Sequence, residues 1–187
     1  EFYTSFGFTP RYVLATRPKK ALGTKKVWDM AENALEQALK KQNTIYTVDK
    51  GEGAFYGPKI EVHMKDSQGR DWQMGTAQLD LVMLPKQFDL SYTDEYGKKQ
   101  MPWVIHRAVF GSFERFIGIL LEHFSGALPF WLSPVQARIL TINDKVLEYA
   151  KEVEQELKKH NVRVETDDRN ESLGKKIREG EMQKIPY

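Results

Sequence analysis

KIEVHMKDSQGRDWQMGTAQLDLV, residues 59–82, alternates apolar and polar side chains with period two and is interrupted once, at Ser67-Gln68-Gly69. Such alternation marks a strand with one buried face, and a Ser-Gln-Gly stretch supplies a turn. The reading is two strands, 59–65 and 70–82, joined as a hairpin. FDLSYTD (88–94) and PWVIHRAVF (102–110) are strand-like as well, with the turn Glu95-Tyr96-Gly97 between them. Consecutive strands with short connections favour an antiparallel meander over a parallel sheet.

Working outward, RYVLATR (11–17) reads as a strand that Pro18 ends. Thr24 offers a helix cap, and Val27, Ala31, Ala34, Leu35 and Ala38 recur at helical spacing over 25–41. Phe113 to Phe124 is apolar almost all round, which predicts a buried helix. Near Pro129 the pattern changes. VQARILTI (135–142) and VRVET (162–166) read as strands, with helices at 145–160 and 172–180. Strand, helix, strand, helix implies a right-handed crossover and a parallel sheet. The expected organisation is an α+β unit, an antiparallel sheet with helices, over residues 1–131, and an α/β unit over 132–187. The second stops after about two strands, too few to close a core. A truncated second domain, and a chain that is a fragment prone to aggregate through open strand edges, are therefore expected.

Composition bounds the function. Of 187 residues, 41% are hydrophobic, 12% aromatic and 29% charged, a globular balance. No run approaches the roughly 18 apolar residues of a membrane-spanning helix. EFYTSFGFTP has none of the pattern of a secretory signal. Cysteine is absent, which excludes disulfides, suits a reducing, cytoplasmic location, and leaves His or carboxylates as the chain's own metal ligands. The net charge of +2 is too small to announce a nucleic-acid binder. Residues 1–50 carry nine Lys/Arg against five Asp/Glu, an excess that an ordinary solvated surface explains equally well.

Three stretches carry candidate chemistry. GEGAFYGPK (51–59) sets three glycines around two aromatics, so that backbone can approach a ligand with Tyr56 and Lys59 directed at it. An ordinary glycine turn accounts for it as well, and it is not a phosphate-binding P-loop. RDWQMGTAQLD (70–80) puts Gln73, Gly75, Thr76 and Gln78 into a strand. Plain alternation places Thr76 and Gln78 on one face and Gln73 on the other. The glycine marks close approach by a ligand or another backbone, or else simply a bulge. HRAVFGSFERF (106–116) places Glu114 and Arg115 in a helix otherwise built for burial. Buried charges need partners from elsewhere, and an arginine beside a Gly-Ser helix start suits a phosphate or a purine ring, or a buried ion pair. His106 on its strand is a hydrogen-bonded core residue or a metal ligand, with no ligand-like spacing to His63, His123 or His160.

GEGAFYGPKIE, DWQMGTAQLD and HRAVFGSFERFIGILLEH, in that order and followed by PFWLSPVQARIL, resemble threonyl-tRNA synthetase over essentially the whole chain. GSFERF is similar to motif 3 of the class II synthetases, which several specificities share. The GAFYGPK segment and the histidine before Arg107-Ala108 are closer to the threonine enzyme than to its prolyl, seryl or glycyl relatives. DDRNESLGKKIRE (167–179) resembles the first half of the family's anticodon-binding domain. The resemblance implies the C-terminal half of a class II catalytic core, then the start of an anticodon-binding domain. It implies activation of L-threonine with ATP and Mg2+, then transfer of the threonyl group to the 3′ end of tRNA(Thr). Arg115 would pack on adenine and reach the γ-phosphate, with Lys59 as the second catalytic cation. Gln73 and Thr76 would line the nucleotide site, while Tyr56, Lys59 and Gln78 would border threonine. His106 would be one ligand of a zinc ion whose other ligands, like motifs 1 and 2 and the homodimer contacts, lie upstream. Asn170 and Arg178 would face the anticodon. A prolyl-type synthetase, a non-catalytic synthetase-like tRNA or partner binder, and a two-domain scaffold with its polar residues paired internally are the rival readings.

Overall fold

Strand β1 (Arg11–Ala15) leads into helix α1 (Lys25–Lys41) and back to β2 (Tyr46–Asp49), which lies parallel to β1. β3 (Lys59–Lys65) and β4 (Asp71–Asp80) form the expected hairpin, and β7 (Val104–Ala108) pairs antiparallel with β4. The sheet order is β2-β1-β3-β4-β7. These elements were seen in a computed structural model that describes residues 1–187. Within the chain, contacts separate two compact units, Glu1–Ile117 and Gly118–Tyr187.

The core of the first unit lies on one side of the sheet. Leu14 and Leu79 meet Trp28, Ala31, Leu35 and Leu39 of α1, with Ile60 and Tyr12 packed against them. Thr24 caps the helix as its sequence predicts, its hydroxyl accepting from the Val27 amide at 3.4 Å. The buried stripe is rotated from the expected one, however. Trp28 and Leu39 are inside, and Ala34 and Ala38 face solvent. The larger side chains remove more apolar area from water, so they set the helix's rotation. Trp28 is fully buried and donates its indole N–H to the Leu22 carbonyl at 2.6 Å.

Three expectations are corrected. The meander is incomplete: β1 and β2 pair in parallel across α1, and β2, short and mostly exposed, gave no period-two signal. Residues 88–94 are not one strand. The chain leaves β4 through α2 (Met83–Gln87), and only Tyr92–Thr93 (β5) pairs with Lys99–Gln100 (β6), as a separate ribbon. The cause is Asp80. Its buried carboxylate accepts from the amides of Val82, Met83 and Leu84 at 3.1, 2.7 and 3.2 Å, which winds the chain into a helical turn. The third concerns α3 (Phe113–His123), which is not buried all round. Phe116, Ile119 and Leu120 are inside, whereas Phe113, Ile117 and Leu121 form an exposed stripe.

In the second unit β8 (Ala137–Leu140) and β9 (Val164–Asp167) pair in parallel across α4 (Leu147–Lys159), followed by α5 (Leu173–Met182). Lys176 of α5 is buried to 1% exposure. Its ammonium donates to the Thr141 and Asp167 carbonyls at 2.9 and 3.0 Å and to the Thr141 hydroxyl at 3.3 Å, pinning α5 to the ends of both strands.

Candidate functional site

One face of the β3–β4–β7 sheet is polar, and the register explains how. Lys59 lies opposite Gln78, Glu61 opposite Thr76, and His63 opposite Gln73. Across β4, Gln78 lies opposite His106 and Thr76 opposite Ala108. A β-bulge between Val62 and His63 leaves Met74 as the extra residue of β4. One inserted residue flips the phase of a strand. Gln73 therefore shares the face of Thr76 and Gln78, against the plain alternation, and its amide nitrogen donates to the Thr76 hydroxyl at 3.1 Å.

Gln78 is the hub. Its amide nitrogen points to the Gly57 carbonyl at 3.4 Å. Its oxygen meets His106 Nε2 at 2.9 Å and, at the long distance of 3.5 Å, the Tyr56 hydroxyl. The His106 and Tyr56 rings stand edge to face with centroids 6.1 Å apart. The glycine loop delivers Tyr56 there because it hugs the end of β4: the Leu81 amide donates to the Tyr56 carbonyl and the Leu79 amide to the Pro58 carbonyl, both at 3.1 Å. At Gly57 this approach leaves no room for a side chain, since a Cβ would sit 1.6 Å from the Leu79 carbonyl oxygen.

Arg115 begins α3, where the Ser112 hydroxyl accepts from its amide at 3.3 Å. Its guanidinium lies over the Trp72 ring, 5.4 Å from the centroid, with Nη1 at 3.5 Å from the Gln73 carbonyl oxygen. Glu114 and Arg115 are exposed, so the sequence-based expectation of buried charges in need of partners is corrected. Arg115 stands at the rim of the polar face, with Trp72 as its stacking surface.

A chain of charges that the sequence reading did not single out runs along the same face. Lys59 Nζ is 2.5 Å from Glu61, His63 bridges Glu61 at 3.0 Å and Asp71 at 2.7 Å, and Asp71 reaches Arg11 at 2.9 Å. Burial raises the Glu61 carboxyl, but the Lys59 and His63 hydrogen bonds together outweigh it and hold the group below its ordinary value. The same balance, with His63 and Arg11 as partners, lowers Asp71. In sequence, Glu61 and His63 were only the polar half of an alternating strand.

The described chain has no group of three His, Cys, Asp or Glu side chains placed to hold a metal ion. It offers one imidazole in the cleft. His106 Nε2 against the Gln78 oxygen is the outer-shell contact that orients a ligating histidine and leaves its other nitrogen free to bind. The residues present thus offer a metal ion a single imidazole, that of His106, and do not complete a site by themselves.

The second unit holds the remaining candidates. Asn170 and Arg178 are both exposed, on the loop after β9 and on α5. The preceding Arg169 clamps that loop, with Nη2 at 2.6 Å from both Asp167 and Glu179. The Arg169 hydrogen bond, against a smaller opposing effect of burial, holds the Asp167 carboxyl down to about 2.

A mixed sheet with one polar face, an arginine at the start of the helix after β7, and a strand–helix–strand unit later in the chain are the features of a class II synthetase core followed by an anticodon-binding domain. The chain belongs to that family: residues 6–124 match the tRNA synthetase class II core domain (G, H, P, S and T), and residues 136–187 match the anticodon binding domain. The resemblance to threonyl-tRNA synthetases extends over the whole chain. It is 54% identical to Threonine--tRNA ligase of Carboxydothermus hydrogenoformans over 187 residues, 100% of this chain and 29% of that protein. The solved RNA binding domain of threonyl-tRNA synthetase from Cryptosporidium parvum superposes with a TM-score of 0.87 at 44% identity, covering 98% of this chain and 46% of that one. Giardia lamblia prolyl-tRNA synthetase in complex with prolyl-adenylate shares the fold, with a TM-score of 0.59 at 21% identity over 74% of this chain and 30% of that one. No helix of the chain is long and apolar enough to cross a membrane.

Proposed function

We propose that the full-length protein containing this chain is a threonine–tRNA ligase. It activates L-threonine with ATP and Mg2+ to threonyl-adenylate, releases pyrophosphate, and transfers the threonyl group to the 3′ end of tRNA(Thr). Residues 1–131 are the C-terminal half of its catalytic domain and 132–187 the N-terminal part of its anticodon-binding domain. A cytoplasmic homodimer, paired through segments outside this chain, is its working form.

One observation supports this reading above the others: Gln73, Thr76, Gln78, Lys59 and His106 share one sheet face, with Tyr56 and Arg115 at its two sides. Displacement at the α-phosphate concentrates negative charge, so fixed cations and donors supply the catalysis. Arg115, carried on Trp72, stacks on adenine and reaches the γ-phosphate of a bent ATP, with Gln73 and Thr76 alongside. Lys59 and Gln78 border the threonine with Tyr56. His106 would be one ligand of a zinc ion, which would supply a Lewis acid for the polar groups of threonine, one of which, the hydroxyl, valine lacks. An apolar pocket alone separates such near-isosteres weakly. Asn170 and Arg178 face the anticodon.

The test is the metal and amino-acid dependence of ATP–pyrophosphate exchange by the full-length protein. Stoichiometric zinc, lost in His106→Ala together with threonine activation while ATP still binds, is the expected result. Exchange driven by proline overturns the assignment in favour of a prolyl-type enzyme, and normal threonine activation by His106→Ala removes His106 from the metal site.

A further inference from the structure

The polar face carries Lys59, Glu61, Asp71 and Arg11, alternating in sign, with His63 set between the two carboxylates. His63 is the pivot, because each of its ring nitrogens faces a carboxylate oxygen, Nε2 at 3.0 Å from Glu61 Oε2 and Nδ1 at 2.7 Å from Asp71 Oδ2. A neutral imidazole has one donor and one acceptor, and an ionised carboxylate only accepts. With His63 neutral, one of these contacts would set a lone pair against a lone pair. Only the imidazolium donates to both.

The two oxygens of Glu61 are thereby divided, Oε1 to Lys59 at 2.5 Å and Oε2 to His63. Glu61 and Lys59 are largely buried, with side chains 9% and 19% exposed, so charge-assisted bonds among them are little screened. We propose that His63 is a positioning residue: as an imidazolium braced by Asp71 and Arg11, it fixes Glu61, and Glu61 fixes the Lys59 ammonium opposite Gln78 with its other protons free for substrate. The role assigned to Lys59 rests on the ligase reading above; the bracing itself does not.

Lys59, Glu61, Asp71 and Arg11 belong to this arrangement, while Arg115, at the rim of the same face, lies over Trp72 and reaches the Gln73 carbonyl. On β1 the register partner is Arg11, and on β3 Glu61 and Lys59 precede it. Lys65 follows, exposed at the strand end, and β4 contributes Asp71 and the neutral Gln73 opposite. A neutral imidazole could donate to Glu61 or to Asp71 but not to both, so either Glu61 loses one of its two bonds or the brace from Asp71 is lost.

The decisive measurement on the full-length protein is its histidine side-chain 15N spectrum at neutral pH, with His63 identified by the signal missing from His63→Gln. Two protonated ring nitrogens are expected, and a neutral tautomer overturns the proposal. In the same pair of proteins, Lys59 modification by an amine-specific reagent, read by mass spectrometry, should rise roughly tenfold in His63→Gln, the size of one charge-assisted hydrogen bond lost. Asp71→Asn, which leaves the imidazole in place, should move it in the same direction. Unchanged Lys59 labelling in both variants overturns the positioning role. In the full-length protein, His63→Gln should raise KM for threonine roughly tenfold with kcat changed much less, since a displaced binding group weakens ground and transition states alike. A loss confined to kcat overturns the role. If the wild-type protein fails to activate threonine, the ligase reading falls while the spectrum and the labelling still decide the bracing.

Discussion

A single methyl group at Gly57 would test how the glycine loop builds the candidate site. The Cβ of Gly57→Ala would lie 1.6 Å from the Leu79 carbonyl oxygen and 2.8 Å from its carbon. Both are backbone atoms of a central strand, so no side chain can swing aside. Restoring an ordinary contact of about 3.3 Å requires the loop to lift by well over an ångström. That breaks the two backbone hydrogen bonds that zip it to β4, Tyr56 to Leu81 and Pro58 to Leu79, each 3.1 Å long. At about 1 kcal/mol net apiece, plus the cost of unseating the buried Pro58, the loss is roughly 2–4 kcal/mol. It falls locally, because α1 and its core contacts are untouched. Hydrogen exchange resolved by NMR is the assay. The Leu79 and Leu81 amides should lose protection in Gly57→Ala, while Trp28 and Leu35 amides exchange as before. Gln78 loses the carbonyl that orients its amide and Tyr56 leaves the cleft, so substrate affinity of the full-length protein falls with it. Wild-type protection at Leu79 and Leu81 would refute this account of the loop.

Arg115→Ala, in the full-length protein, should lower ATP–pyrophosphate exchange by about two orders of magnitude or more while the fold stays intact, as expected for charge used at the transition state; near-normal exchange in a folded variant removes Arg115 from the nucleotide site. The β3–β4 turn should be sensitive to acid. Although burial alone would raise it, Trp72 and Arg70 and two backbone amides hold the Asp66 carboxyl at about 2 against an ordinary 3.8. A depressed folded value means a contribution complete above the unfolded value and lost as pH falls from about 4 towards 2. The difference in stability between wild type and Asp66→Asn should therefore shrink over that window, and a constant difference contradicts the linkage. Lys176→Met keeps the length of the side chain but leaves the Thr141 and Asp167 carbonyls without their ammonium. A loss of roughly 2 kcal/mol in the second unit is expected by urea titration, and a gain would mean that desolvation of the buried ammonium outweighs its three bonds.

The helix at 25–41, the hairpin at 59–80 and the parallel pair around α4 were legible because each rests on local rules: a capping hydroxyl, a period of two or of 3.6, and short or helical connections. The motif residues were legible for the same reason, as a pattern of types in order along the chain. What the chain order cannot carry is which atoms meet. One extra residue at Met74 moved Gln73 to the face of Gln78, and no alternation rule marks where a bulge falls. The Asp80 carboxylate turned the connection between two expected strands into α2 by gathering three amides. Glu61 and His63 became a relay only when the register laid Asp71 and Arg11 beside them, and Lys176 became a buried strut only when two strand ends converged on it. By itself the sequence determined most of the longer elements, the family resemblance and the kinds of group available for chemistry, since these follow from local conformational preference and residue type. The tertiary structure decided faces, burial and partners, because distance and desolvation arise only when segments far apart in the chain are brought together.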